Sequence, residues 1–209
     1  VPFGDLVSNG NELLCTMYQM EKTEDGEKAF SAFLAASRDH GESWQYRNLI
    51  GEGQNETALL RCADGRLLAS GRTQCTSRMD GALPHGSGER LSTSTDGGSS
   101  WDAGRMVSPQ GQENAHLCAL QDGSILHCFT SRIPGLFGIV YRLSCDGGET
   151  WNIPRPLITI PALDWHKTDC GYPSSVQTAD GTVVTAYYFG AKVPASLGDT
   201  TPWHQAYHM

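Results

Sequence analysis

The sequence lacks the features that mark membrane proteins and nucleic-acid-binding proteins. It contains no apolar run of about 18 residues, the length that crosses a bilayer as a helix. Basic residues are few, because 15 Lys and Arg stand against 23 Asp and Glu, which gives a net charge of −8. An acidic chain is a poor partner for phosphate backbones and anionic lipids. We therefore predict no nucleic-acid partner and no membrane span.

Helical periodicity and paired cysteines are missing as well. No segment keeps its apolar residues at a 3.6-residue period, so we expect helices to be nearly absent. The seven cysteines include no C-x-x-C pair, and the histidines show no ligand spacing, which argues against a metal site. Nothing in the sequence indicates a cofactor. The 24 glycines instead predict many tight turns and short strands.

An eight-residue pattern, S-x-D-x-G-x-x-W, occurs three times. Its copies are Ser37–Trp44, Ser94–Trp101 and Ser144–Trp151, and their aspartates lie 57 and 50 residues apart. Ser and Asp side chains hydrogen-bond backbone groups in turns, Gly permits positive φ, and Trp buries a large apolar surface. We interpret the pattern as a structural turn that recurs once in each repeat of the chain.

A second repeat runs in step with the first. Asn-Gly or Asp-Gly dipeptides lie between short apolar runs at intervals of 55, 58 and 58 residues, which is the pattern of a β-hairpin. They are Asn9-Gly10, Asp64-Gly65, Asp122-Gly123 and Asp180-Gly181. Four strands per repeat predict an all-β fold, a β-propeller of four-stranded antiparallel blades. We expect about 3.5–4 blades in a single domain over residues 1–209, as part of a larger propeller.

The hairpins also set the register of the innermost strands. Glu56, Asn114 and Tyr172 each stand eight residues before a hairpin Asp, so they should occupy the same rung of neighbouring inner strands and face the channel. Arg72 follows Glu56 by sixteen residues, and His116 lies two residues beyond Asn114. Polar residues that recur at an inner position are typical of a site that lines a channel.

Together, the boxes and hairpins resemble the Asp-box (BNR) repeats of the sialidase, or neuraminidase, superfamily, over essentially the whole chain. The resemblance implies a six-bladed propeller with an active site on its axis, a Tyr nucleophile assisted by Glu, and arginines that bind a carboxylate. Asn55-Glu56-Thr57 with Arg72 is similar to the family's Glu-and-arginine hairpin, and Gly171-Tyr172-Pro173 is similar to its nucleophile strand. Arg132 is the first choice for the next arginine, with Arg142 as the alternative.

The chain departs from the family pattern in two respects. Family sialidases carry an Arg-Ile-Pro motif and a catalytic Asp before the Glu, whereas Arg132-Ile133-Pro134 follows Glu56 here. Tyr188 stands about where the family has a Glu that holds the first arginine, and Asp5 is only a weak substitute for the general acid. We therefore expect a site without the family's general acid or its first arginine.

These residues predict a sialidase-like exo-glycoside hydrolase, or a fragment of one, that cleaves terminal sialic or related acidic sugars. The anomeric carbon of such a sugar bears a carboxylate, which repels a carboxylate nucleophile but not a neutral phenol. The expected catalytic residues are Tyr172 and Glu56. The expected substrate-binding residues are Arg72, Arg132, Asn114 and His116.

Two other functions stay open at this stage. One is a non-catalytic propeller that binds glycan or protein, and the other is a propeller glycosidase or lyase for another sugar, with His116 among its residues. A carbohydrate is the expected partner, and unpaired propeller edges would also permit self-association. The compartment is left open; the resemblance is compatible with a secreted or periplasmic protein, although no signal peptide is visible.

Overall fold

The computed structural model describes residues 1–73, 87–108, 111–160, 168–191 and 207–208. In these ranges the chain consists of strands and turns, with no helix and therefore no helix that could span a membrane. The first sheet contains β1 (Pro2–Asn9), β2 (Glu12–Lys22), β3 (Lys28–Ser37) and β4 (Gln45–Glu52). The second contains β5 (Gln54–Arg61), β6 (Leu67–Thr73), β7 (Glu89–Ser94) and β8 (Arg105–Met106).

The third and fourth sheets repeat this plan. The third contains β9 (Gln112–Ala119), β10 (Ile125–Ser131), β11 (Gly138–Ser144) and β12 (Arg155–Thr159). The fourth contains β13 (Thr168–Gln177), β14 (Val183–Ala191) and β15 (Tyr207–His208). Every sheet is antiparallel with its strands in chain order, and the first strands of successive sheets contact one another. Each sequence repeat thus forms one blade, and the predicted class of four-stranded antiparallel blades is confirmed.

The four predicted hairpins are present at the inner end of each blade. Asn9 pairs with Glu12 across the first turn, and Arg61 pairs with Leu67 across the second. Gly10 and Gly65 have φ of +66° and +89°, the left-handed region that glycine enters without steric cost. The Asn-Gly and Asp-Gly dipeptides therefore act as the turn residues that the sequence indicated.

The three boxes fold into nearly identical turns between the third and fourth strands. In the second copy, Ser94 Oγ donates to Asp96 Oδ1 at 2.8 Å and accepts the Gly98 N–H at 2.8 Å, while the Ser100 N–H donates to the same carboxylate at 2.9 Å. The copies at Asp39 and Asp146 have the same set of bonds. These bonds lower the pKa of each aspartate to about 2.

The box tryptophans connect neighbouring blades. Trp101, from the second blade, packs against a buried cluster that includes Leu34 of the first blade and Leu67 of the second. Trp151, from the third blade, packs in the same way against the cluster between blades two and three. A Cβ at Gly98 would lie 2.1 Å from Leu34 Cδ2, so the turn can approach the first blade only with glycine there. The boxes thus fix the spacing between blades.

The inner strands share an irregularity that positions the site. The pairing of β5, β9 and β13 with their neighbours shifts register near Glu56, Asn114 and Tyr172, the pattern of a β-bulge. Asn114 and Tyr172 have φ of 58° and 49°, which is sparsely populated for residues other than glycine. Such backbone strain persists where the surrounding structure over-determines it, often at functional sites. Here the bulges turn the three side chains toward one another.

Candidate active site

Glu56 is the centre of a cluster that draws one side chain from each of three blades. The Tyr172 hydroxyl donates to Glu56 Oε1, and the Asn114 side-chain amide donates to Oε2. Arg72 Nη1 donates to the same Oε2 at 2.8 Å. The Glu56 side chain is only 12% exposed. The contact expected between Glu56 and Tyr172 is therefore present, and Asn114 and Arg72 complete the surroundings of the carboxylate.

A second carboxylate, Glu113, holds the two arginines of the cluster. Arg72 Nε lies 2.9 Å from Glu113 Oε2, and Arg132 Nη1 lies 2.5 Å from Glu113 Oε1. The Glu113 side chain is fully buried. Because removing a charge from water is costly, a buried carboxylate needs cationic partners. Sequence reasoning missed Glu113. The available signal was its place directly before Asn114, on a strand that faces an arginine-bearing neighbour.

The two candidates for the second arginine lie in different surroundings. Arg132 joins the cluster through Glu113, and its charge acts on Tyr172. Arg142 instead lies with its guanidinium carbon 4.9 Å from the centre of the Phe129 ring. Burial lowers the pKa of Arg142 to about 10, and the nearby Glu89 carboxyl offsets only part of that shift. The geometry therefore brings Arg132, the first choice, to the site and leaves Arg142 in the sheet-to-sheet packing.

His116 lies beside the cluster, with both ring nitrogens engaged inside the protein. Nδ1 accepts the backbone N–H of Ser175 at 3.2 Å, which leaves the ring proton of the neutral tautomer on Nε2. Nε2 lies 2.6 Å from Asp5 Oδ2. This hydrogen bond lowers the pKa of Asp5. His116 thus ties β1 to the third and fourth blades, and the Asp5 carboxylate that it holds is ionised over the neutral range.

Two aromatic rings lie beside the ring of Tyr172. The Tyr188 ring stacks on Tyr172 with centroids 5.8 Å apart, and the Phe3 ring lies 6.0 Å away on β1. Tyr172 is 43% exposed. Burial of the phenol raises its pKa above the usual value near 10, and the charge and hydrogen bond of Glu56 raise it further, while Arg72 and Arg132 oppose the shift. The phenol is therefore neutral in the resting site.

The charges of the cluster nearly cancel. Glu56 and Glu113 contribute two negative charges, and Arg72 and Arg132 contribute two positive ones. Burial by itself lowers the pKa of Arg72, but the two carboxylates outweigh it and the pKa is raised, so the guanidinium is permanently charged. Across the described ranges, no group of three or more His, Cys, Asp or Glu side chains is arranged to hold a metal ion.

This arrangement suits proton transfer between a phenol and a carboxylate. A neutral Tyr becomes nucleophilic when a base accepts its proton, and Glu56 Oε1 already accepts that hydrogen bond. The Asn114 and Arg72 contacts to Oε2 hold the Glu56 carboxylate in this orientation. A guanidinium offers a planar pair of donors that matches the two oxygens of a carboxylate. The cluster therefore brings a phenol, a carboxylate and two guanidinium groups together where the inner strands of three blades meet.

The chain belongs to the family described as BNR repeat-like domain, whose model matches residues 6–185. It is 27% identical over 145 residues to a sialidase of Micromonospora viridifaciens, a match that covers 61% of this chain and 20% of that protein. The fold is also similar to two solved structures. They are a xylan β-1,4-xylosidase of Bacillus halodurans (TM-score 0.67, 14% identity, 90% of this chain and 37% of that one) and a GH93 α-L-arabinofuranosidase of Fusarium graminearum (TM-score 0.60, 14% identity, 99% and 64%).

The resemblance to a BNR-repeat protein of the sialidase superfamily is thereby confirmed. The chain spans about a fifth of the length of the Micromonospora sialidase and less than two thirds of both solved structures. These relatives are glycoside hydrolases by name, and they act on different sugars. The likeness to the two solved structures concerns the fold.

Proposed function

We propose that this protein is a sialidase-like glycoside hydrolase that removes terminal acidic sugars with Tyr172 as nucleophile and Glu56 as its base. The observation that carries the proposal is the hydrogen bond from the Tyr172 hydroxyl to Glu56 Oε1, made across 116 residues of chain. A structural tyrosine has no need of a carboxylate that is also held by an amide and a guanidinium. The match to a sialidase supports the same proposal.

In this proposal, each group has one task. Tyr172 attacks the anomeric carbon while its proton passes to Glu56, which gives a tyrosyl glycoside and releases the leaving group as an oxyanion that takes a proton from solvent. Water then attacks the anomeric carbon and gives up its proton to solvent, while the protonated Glu56 returns its proton to the departing Tyr172 oxygen, so the product keeps the configuration of the substrate. Arg72 and Arg132 bind the substrate carboxylate. Asn114 keeps Glu56 oriented, and His116 holds β1 against the site through Asp5.

Protonation of the leaving group is the step for which the cluster is least equipped. Asp5 is the candidate for the general acid, but its hydrogen bond to His116 lowers its pKa and makes it a poor acid. We therefore expect faster turnover of aryl sialosides, whose phenolate leaves without a proton, than of alkyl-linked sialosides. Equal rates on the two would show that an efficient acid is present.

The test of the proposal is Tyr172→Phe, assayed with a fluorogenic aryl sialoside on the protein at its full natural length. Turnover should fall by about a thousandfold or more, the scale on which loss of a nucleophile acts. Tyr46→Phe is the matched control, because Tyr46 is 64% exposed and lies away from the cluster. Undiminished turnover in Tyr172→Phe would eliminate the mechanism. No turnover of any sialoside by the unsubstituted protein would favour the alternatives.

A glycosidase for a neutral sugar is the second candidate, and one observation favours it. Glu113 pairs with both Arg72 and Arg132, so the arginine charges are already neutralised before substrate binds. A neutral sugar then meets no unbalanced charge in the site. A panel of aryl arabinosides, xylosides and sialosides distinguishes the two candidates. Preference for a pentoside would replace the sialidase proposal.

Self-association through a terminal sheet is a separate proposal. Val176 and Val184 pair across β13 and β14 and are 58% and 51% exposed, which leaves an apolar strip on the fourth blade. A further sheet, from a second copy or from additional chain, would bury it. Sedimentation of the protein and of the Val176→Lys variant provides the test. Identical monomeric behaviour of both would reject self-association at this face.

A further inference from the structure

A carboxyl group with no role in the proposed chemistry lies buried beneath the cluster. Glu89 is fully buried on β7, where it is the cross-strand neighbour of Arg72. Its Oε2 lies 2.9 Å from the Ser70 hydroxyl, which in turn lies 3.1 Å from Nε2 of His127. The backbone N–H of Ala115, on the neighbouring third blade, also acts on the Glu89 carboxyl and favours its ionised form.

Ser70 and Ala115, which both act on the Glu89 carboxyl, lie on the two strands whose side chains donate to Glu56. Ser70 is two residues before Arg72 on β6, and Ala115 directly follows Asn114 on β9. Arg72 and Asn114 are the two donors to Glu56 Oε2. One buried carboxyl therefore lies between the two strands whose side chains orient the proposed base.

We propose that Glu89 is a positioning residue of this site: its buried, uncharged carboxyl group fastens the strands that carry Arg72 and Asn114 and so holds Glu56 toward Tyr172. The inference rests on the proposed function for its catalytic consequence. Its structural part, an uncharged carboxyl joining two blades, is independent of which sugar is cleaved.

The uncharged state follows from what faces the group. Glu113 on β9 brings a negative charge, Arg72 on β6 and Arg142 on β11 bring positive ones, and His127 on β10 is reached through Ser70. Within the described ranges no cation hydrogen-bonds Glu89. Burial, with a further contribution from Glu113, raises the pKa of Glu89 to about 8 against the opposing effects of Ser70, Ala115 and Arg72.

The hydrogen-bond chain is consistent with a protonated carboxyl. Burial holds the pKa of His127 well below its usual value, so its ring is neutral and one nitrogen accepts. A protonated Glu89 can donate to Ser70 Oγ, which leaves the Ser70 proton for Nε2 of His127. The carboxyl hydrogen of Glu89 and the hydroxyl hydrogen of Ser70 then each have an acceptor, while the ring hydrogen of His127 lies on Nδ1, which has no hydrogen-bond partner among the described residues. Ionisation of Glu89 would instead place a buried carboxylate that no cation of the described residues hydrogen-bonds near the negative charge of Glu113.

The first experiment measures stability against pH in Glu89→Gln. Because the folded protein holds the Glu89 proton up to about pH 8 and the unfolded chain releases it near its ordinary value of 4.5, stability from this group is lost as pH rises through that window. The ratio of the unfolding equilibrium constants, unsubstituted protein over Glu89→Gln, should rise about tenfold per pH unit between about pH 5 and pH 8. The matched control is Glu149→Gln, which removes a carboxylate that is 62% exposed.

A constant ratio in Glu89→Gln would overturn the uncharged state, and with it the proposal. A ratio that rises equally in Glu149→Gln would also overturn it, since the pH effect would then be general. This arm needs no substrate, so it still decides about Glu89 if sialosides are not cleaved.

The second experiment asks whether Glu89 acts on turnover. Glu89→Leu keeps the volume but cannot bond Ser70, and we expect kcat to fall about tenfold while KM changes less than about twofold. Glu89→Gln, which keeps a hydrogen-bonding group, should recover most of that loss and retain activity to higher pH than the unsubstituted protein. Equal kcat values in the Leu variant and the unsubstituted protein, or alkaline limits that coincide in all three, would reject the positioning role. Because Tyr172→Phe tests the proposed function separately, its failure is distinguishable from failure here.

Discussion

The internal repeat is preserved at the rim of the blades, where the Asp-box turns lie, and is varied at the axis, where the innermost strands meet. At the rim, the three Asp-box turns keep the Ser, Asp, Gly and Trp of the pattern and the same hydrogen bonds. The distance from the serine hydroxyl to the carboxylate and the distance from the backbone N–H to the carboxylate each differ by about 0.1 Å or less among the three copies. At the axis, the equivalent positions carry Glu56, Asn114 and Tyr172, three residues of different chemistry. Two of these residues have positive φ, which the turns at the rim assign mainly to glycine.

The difference separates the demands of folding from those of chemistry. A repeated turn satisfies the same packing at each interface between blades, so its residues stay alike. A cluster needs a base, a donor and a phenol at one point, so equivalent positions must differ. The strained backbone at Asn114 and Tyr172 is then the cost of bringing unlike groups together. Substitutions at the rim should change stability, and substitutions at the axis should change activity.

The largest effect is expected at the axis from Glu56→Gln. The amide cannot accept the Tyr172 proton, so kcat should fall by about 10²–10⁴-fold, the range for loss of a general base. The midpoint of thermal unfolding should change little, because the side chain keeps its shape. Glu52→Gln, on the exposed face of β4, is the control in the same fluorogenic assay. Retention of more than a tenth of the activity by Glu56→Gln would contradict the role of Glu56 as the base.

At the rim, Trp101→Ala should lower the free energy of unfolding by about 3 kcal/mol, since it removes a large side chain that packs against the cluster between the first two blades. Trp44→Ala is the internal control. Trp44 belongs to no buried cluster of the described residues, so its loss should cost less than half as much. Denaturant titration gives both values. Equal losses would mean that the box tryptophans do not act through blade packing.

Two substitutions of Asn114 separate its effect on stability from its effect on activity. Asn114→Gly relieves the positive φ but removes the amide that donates to Glu56, whereas Asn114→Ala removes the amide and keeps the strain. The Gly variant should be more stable than the Ala variant by about 1 kcal/mol. Both variants should lose turnover by about tenfold, because a hydrogen bond to a charged group is lost. If the Gly variant were the less stable one, the backbone at Asn114 would not be strained.

The smallest effect concerns acid pH. The box aspartates have pKa values near 2 in the folded protein, so their contribution is present above the unfolded value of 3.8 and is lost as pH falls toward 2. Asp96→Asn should therefore lose less stability than the unsubstituted protein between pH 5 and pH 2.5. Thermal unfolding at these two pH values provides the check. A parallel decline in both proteins would show that the Asp96 carboxylate is not favoured in its ionised form.

The features that could be predicted from the sequence are those that depend on patterns of a few neighbouring residues. Asp-Gly dipeptides and boxes determine turns within a few residues, so the hairpins, the blades and their register could be derived from spacing alone. The register then placed Glu56, Asn114 and Tyr172 on one rung, which no single segment indicates. Internal symmetry supplied that long-range information.

What the sequence did not indicate depends on burial and on contacts between distant segments. Glu113 and Glu89 have no local pattern, because a buried carboxylate is defined by the arginines and hydroxyls that three other strands place around it. The partnership of Asp5 with His116 joins residues 111 positions apart and ties β1 to β9. Such contacts follow from the packing of the inner strands of successive blades, and only the folded chain contains them.

In the proposed mechanism, the phenol of Tyr172 attacks the anomeric carbon with Glu56 as its base. A fluorinated sialosyl fluoride, which forms the glycosyl-enzyme quickly and loses it slowly, tests this claim by mass spectrometry of the digested protein. The mechanism predicts one sugar mass on the peptide that contains Tyr172, and none on that peptide in Tyr172→Phe. A label on the peptide that contains Glu56, or steady turnover of a sialoside without any label on Tyr172, would contradict it.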